Sequence, residues 1–259
     1  MVALFSIWHV SARQQASAGV WGQPTAGMIV GEGALTPTPV RATSTVPLGI
    51  PRMAPSTPGA YRYLGLQAGS DTPIAYDPCR PIRYVVNDRT APPGTETLVR
   101  DAVEDMAEVT GLQFEYAGTT DERVTGDQRA PFQRERYGDR WAPVLITWSD
   151  PSEIPGMAGT VAGIGGSTPA LSERGGPAVY VTGIVALDGP QIGEFFRASH
   201  LGRLLARAVI LHELGHLVGL DHVEDRGQLM HHSSGTVDLR SGDLAGLAQL
   251  GAGPCVEFL

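Results

Sequence analysis

The chain has 259 residues, 42% of them hydrophobic and 18% charged, with a net charge of −8 and a pI near 5.3. That length can bury a sizeable core, and the acidic balance excludes a surface made for nucleic acid or anionic lipid, which needs clustered cations. No apolar run reaches the ~18 residues of a bilayer span.

Residues 1–60 are expected to be an unstructured leader or linker. "GALTPTPVRATSTVPLGIPRMAPSTPGA" is rich in Pro, Thr, Ser and Gly, and it buries too little to repay its ordering entropy. The opening "MVALFSIWHVSARQQASAG" has a short apolar block without a basic flank. A signal remnant, a pro-segment and a loose N-terminus all remain open.

Ordered patterns begin near Tyr61. "PIRYVVN" (81–87) reads as a strand, and "TETLVRDAVEDMAEVTG" (95–111) as a helix with Leu98, Ala102, Met106 and Val109 on its apolar stripe. "LQFEYAG" (112–118) alternates, with Leu112, Phe114 and Tyr116 expected inside. "PVLITWS" (143–149) is a continuous apolar run, as in a central strand. "MAGTVAGIGG" (157–166) reads as a glycine-rich strand and "AVYVTGIVAL" (178–187) as another. "GRLLARAVILHELGHLVG" (202–219) and "GDLAGLAQLG" (242–251) read as helices. The alternation implies an α/β or α+β domain around one twisted mixed sheet.

Two cysteines, Cys79 and Cys255, lie near the ends of this ordered part. They are either a bridge or two buried thiols. The even count and terminal placement favour a bridge, and with it an oxidising compartment. Such a bridge is worth on the order of 4–5 kcal/mol in the chain-entropy model.

The most informative stretch is "HELGHLVGLDH", His212 to His222. Residues four apart share a helix face, so His212 and His216 can reach one metal ion. Glu213 is turned away by about 100°, where its carboxylate can approach a water beside the metal. Gly219 can end the helix in a left-handed conformation, and the chain can then bring His222 in as a third ligand. A structural zinc normally takes four protein ligands and has no use for Glu213, so the pattern points to a catalytic site.

"HELGHLVGLDH" followed by "QLMHH" resembles the metzincin zinc peptidases, which share HExxHxxGxxH and a downstream Met-turn. Met230 stands at the interval of the matrixins, the matrix-metalloprotease-like branch (peptidase family M10 type). "GLDH" and "SGDLAGLAQLG" are similar to matrixins too. The resemblance covers about residues 77–259. It implies an α+β metzincin (zincin-like) catalytic domain over 61–259, with a five-stranded twisted mixed sheet and three helices. It also implies one catalytic zinc on His212, His216 and His222, with Glu213 as general base and Met230 as the floor of the site.

Departures are visible. Cys79, in "YDPCRPI", is read as a disulfide partner rather than a zinc-blocking thiol. "SDPSEIPGM" is short for a loop that binds a second zinc, and no calcium site is readable. His231 and His232 follow Met230 where the family often has Tyr-Pro. His232 is read as an exposed histidine rather than a further metal contact.

The expected function is that of a secreted, monomeric zinc endopeptidase acting on peptide or protein. A substrate rail is expected along "AGTVAGIGG" (158–166). The alternatives are a zinc hydrolase acting on a substrate such as cell-wall peptide, and a non-catalytic binding module of the same fold.

Overall fold

The computed structural model describes residues 36–124, 129–171, 176–233, 235–257 and 259. Its sheet has strands β1 (Ala75–Tyr76), β2 (Ile82–Asn87), β3 (Phe114–Thr119), β4 (Val144–Ser149), β5 (Gly163–Leu171) and β6 (Ala178–Asp188). Its helices are α1 (Leu98–Thr110), α2 (Arg134–Tyr137), α3 (Gly189–Ala198), α4 (His200–Val218) and α5 (Ser241–Gly251).

The spatial order is β1-β6-β4-β2-β3, all parallel, with β5 antiparallel to β6. The expected mixed sheet is therefore present, but with six strands rather than five. The extra strand has a simple origin. β5 runs along one side of β6 over nearly its whole length, so β1 and β4 must share the other side, pairing with its first and last residues respectively. The three expected helices become five among the described residues. One is the four-residue α2, in "RERYGDRWAP". α3 is announced by Asp188, whose Oδ1 accepts the Gln191 N–H at 2.9 Å, and by Pro190 in the first turn.

Side chains alternate across the sheet. Tyr84, Val144, Ile146, Trp148, Val185 and Leu187 face the main core with the helices, while Val85, Leu145, Ile184 and Ala186 face a second cluster with Ile154, Met157 and Val161. Both faces are covered, which is why β4 reads as an unbroken apolar run and is buried throughout. β3 is different. It closes one edge of the sheet, so Tyr116, expected inside, is 54% exposed. The expected strand over 157–166 is also displaced. Pro155–Met157 is a 3-10 turn, and extended pairing begins only at Gly163.

Residues 1–35 of the expected leader lie outside the described residues. Residues 36–60 run along the domain: Leu48 donates its N–H to Pro78 O at 2.9 Å and Arg52 to Val109 O at 3.0 Å. Cys79 and Cys255 are bonded, with Cα atoms 5.4 Å apart. Around them, Asp77 holds the Cys79 N–H and Arg80, and Arg80 reaches the carbonyls of Val40 and Glu257. One knot thus joins the start of the described chain, the lead into β2 and the C-terminal segment. No helix among the described residues is long and apolar enough to cross a membrane.

Candidate metal centre

α4 is buried along most of its length, and His212 and His216 sit one turn apart on it. The helix ends at Gly219, whose φ is 125° and whose N–H is accepted by the Gly215 and His216 carbonyls at 3.1 Å. An L side chain rarely adopts that φ. The chain then descends through Leu220 and Asp221 and presents His222 from below.

The three Nε2 atoms form a triangle with every side 3.1 Å. His212 Nδ1 lies 2.8 Å from Leu229 O, and His216 Nδ1 lies 2.8 Å from Leu220 O. A carbonyl can only accept, so both Nδ1 atoms carry the proton and both Nε2 atoms present lone pairs. The triangle is therefore not a hydrogen-bond network, because at most one proton is available to three converging nitrogens. Burial, the largest cause in each case, lowers the pKa of all three rings. His212 is brought to about 3, with His216 adding to the effect. Three neutral, buried imidazoles with facing lone pairs call for a cation. Tetrahedral ligands of one zinc are roughly 3.3 Å apart for Zn–N bonds of about 2.0–2.1 Å, so the donor set fits that ion. The ligating atoms of the three histidines all lie within 4.8 Å of one another, and the second such group among the described residues, Asp77 with Cys79 and Cys255, has its sulfurs in the disulfide. His232 is outside the histidine group. It is half-buried, its ring 6.4 Å from that of His222 and 4.2 Å from that of buried His231. Cys79 is in the disulfide and leaves no thiol to block the site.

Glu213 is turned toward β5. Its carboxylate is buried and accepts from the Gly165 N–H, while Oε1 has no hydrogen-bond partner in the protein. Burial raises its pKa to about 8. β5 can lie this close because it lacks side chains there. A Cβ on Gly163 would sit 2.7 Å from Glu213 Cγ, and one on Gly165 would sit 2.2 Å from the Glu213 carbonyl oxygen. The glycines read as a loose strand in the sequence are what allow the sheet to close on the helix.

Met230 is buried beneath the triad, against Gly215. Its turn is held by Asp243 of α5, whose Oδ2 accepts the Leu229 N–H at 2.8 Å and whose Oδ1 accepts that of Met230 at 3.2 Å. The same Leu229 presents its carbonyl to His212. Asp243 is therefore part of the support of the first histidine. Its signal was the Asp-x-x-Gly-Leu pattern of the last helix, to which no role was attached.

With this geometry in view, comparison with known proteins is specific. Residues 181–251 match the matrixin family model. The matched segment runs from β6 to α5 and holds the histidines, Glu213, the Met-turn and Asp243. The matrixin resemblance thus rests on the part of the chain that builds the site. No curated protein matches this sequence. Among solved structures, a chain from the GM1-bound form of the ECX AB5 holotoxin is 14% identical, with 68% of this chain and 72% of that chain covered and a TM-score of 0.31. That likeness is too low to bear on function.

Proposed function

We propose that this matrixin-like protein is a zinc-dependent endopeptidase, with His212, His216 and His222 as the metal ligands and Glu213 as general base. One observation carries the reading: three imidazole nitrogens, at least two of them presenting lone pairs, converge at 3.1 Å beside a buried carboxylate with an unpartnered oxygen. Zinc held there would supply Lewis acidity, making a water acidic near neutral pH and polarising a carbonyl oxygen. The chain's own contribution is positioning and proton transfer. The Leu229 and Leu220 carbonyls keep two rings in the donor tautomer. Glu213 takes the proton of the attacking water and hands it to the leaving amine. Met230 is a floor and not a ligand.

The expected substrate rail, 158–166, overlaps β5 only at residues 163–166, and we place the rail along β5. It pairs with β6 by one edge, and its glycines pass beside Glu213. An extended peptide added along the other edge would gain main-chain hydrogen bonds and bring its scissile bond over the site. The disulfide supports secretion, since such bonds persist in oxidising compartments.

The test is a digest by purified protein of casein and of muropeptides, with and without a chelator, beside elemental analysis for zinc. About one zinc per chain and chelator-sensitive casein cleavage are expected. Muropeptide cleavage alone would move the substrate to the cell wall. Zinc binding with neither activity would favour a binding module.

A further inference from the structure

Residues 62–64 run antiparallel to the descent that carries the third histidine. Leu64 donates its N–H to Gly219 O at 2.9 Å, Asp221 donates its own to Arg62 O at 2.8 Å, and Tyr63 and Leu220 are bridge partners between them. The Asp221 carboxylate ties the two segments a second time. Oδ2 accepts Arg62 Nε at 2.8 Å, and Oδ1 accepts the His222 backbone N–H at 2.7 Å. The same descent supplies the Leu220 carbonyl that orients His216. Two of the three histidines are thus set by residues 219–222, and these are gripped from outside by a segment distant in sequence.

That segment is itself anchored. Tyr63 Oη donates to Gln249 Oε1 at 2.8 Å, and Gln249 Nε2 donates to Tyr61 Oη at 2.8 Å, both on α5. Ala60 O lies so near Gly242 that a Cβ there would be 2.0 Å away. The strap is thus held against the helix that also carries Asp243, the support of the Met-turn.

We infer that Arg62 and Asp221 are positioning residues of the metal centre, and that residues 59–66 are a strap setting the approach of His216 and His222 to the ion. This rests on the three-histidine reading above. It also means that a domain started after residue 66 would lose part of its site, although every ligand would be present.

Charge and position make opposite predictions for Arg62. Removing a cation near a metal ion should tighten metal binding on electrostatic grounds alone. Loosening the support of the ligands should weaken it, by the 10- to 100-fold typical of groups behind a ligand. Arg62 is 62% exposed, and a pair that open adds little to folding stability. Weaker metal binding with unchanged stability is therefore the distinguishing result.

The experiment uses the full chain and the variants Arg62→Ala, Arg62→Lys, Asp221→Asn and Leu64→Pro. Zinc affinity is measured by competition with a chromophoric chelator, the geometry by the visible absorption of the cobalt-substituted protein, and metal-free stability by urea unfolding. Arg62→Ala should lose 10- to 100-fold in zinc affinity and alter the cobalt bands, while its metal-free unfolding midpoint stays at that of the parent. Arg62→Lys should recover part of the loss, since it keeps the charge without the planar fork. Leu64→Pro, which removes the donor to Gly219, should act as Arg62→Ala does, and the arginine variants decide the matter if it does not fold. Parent-like or tighter zinc binding in Arg62→Ala overturns the strap, as does a loss of affinity matched by an equal loss of metal-free stability. A parent chain that binds no zinc overturns the three-histidine reading itself, and the strap with it.

Discussion

The sulfur of Met230 occupies the space that a side chain on Gly215 would fill: a Cβ there would lie 2.6 Å from Sδ. Gly215 is between His212 and His216 on α4, so this contact seats the Met-turn directly on the ligand-bearing helix. Gly215→Ala should push the turn away, displace the Leu229 carbonyl from His212, and destabilise by about 1–3 kcal/mol, as overpacking does. Zinc affinity should fall with it. Met230→Leu, close in volume, should cost less than about 1.5 kcal/mol. Equal melting temperatures for Gly215→Ala and the parent would show that the contact is slack.

Glu213 separates binding from chemistry. Glu213→Gln should keep the fold and the zinc yet lose peptide cleavage by at least about 10²–10⁴-fold, the usual contribution of a positioned acid–base group. Turnover near that of the parent, measured on a metal-loaded sample, would remove Glu213 from the mechanism.

The same residue shapes the pH response of the metal-free protein. Burial raises its carboxyl to about 8 in the folded state, against about 4.3 in an unfolded chain. Between those values the folded state holds the proton more tightly. Its contribution to stability is therefore fully present below about pH 4.3 and is lost as pH rises toward 8. The buried histidines act in the opposite sense, since their lowered pKa values give stability that is present above about pH 6.5 and lost below it. In chelated protein, Glu213→Gln should be more stable than the parent at pH 8 and similar to it at pH 4.5. Parallel urea midpoints across that range would contradict this.

Gly165 tests the seat of β5. Its missing Cβ would lie 2.2 Å from the Glu213 carbonyl oxygen, which is backbone and cannot rotate away. Gly165→Ala must separate the strand from α4, so lowered stability and loss of cleavage are expected together, read by thermal unfolding and a peptide assay. If the variant is as stable and as active as the parent, β5 does not lie against the helix in solution.

The Cys79–Cys255 bond closes 176 residues of chain. In the chain-entropy model it is worth on the order of 5 kcal/mol. Cys79→Ser with Cys255→Ser should lower the melting temperature markedly while leaving zinc stoichiometry unchanged. Non-reducing peptide mapping of protein secreted from its own host should find the two cysteines joined, and free thiols there would argue against the oxidising compartment.

Much of the centre was legible in "HELGHLVGLDH" because helix periodicity is local. The i, i+4 spacing alone puts His212 and His216 on one face, and a glycine where the chain must turn back makes His222 readable as the third partner. The main-core strands and α1 were legible for the same reason. Tertiary structure decided what depends on neighbours distant in sequence. Two-residue β1 has no pattern of its own and exists because β6 extends past β4. Tyr116 alternates like a buried residue, but it stands on the edge strand β3 and is exposed. The glycines of β5 could be a loop or a strand until α4 is laid against them. Arg62 and Asp221, 159 residues apart, are tied only once the chain has folded back on itself. Residue spacing determines which side chains share a face, whereas sheet pairing and helix packing determine what that face meets.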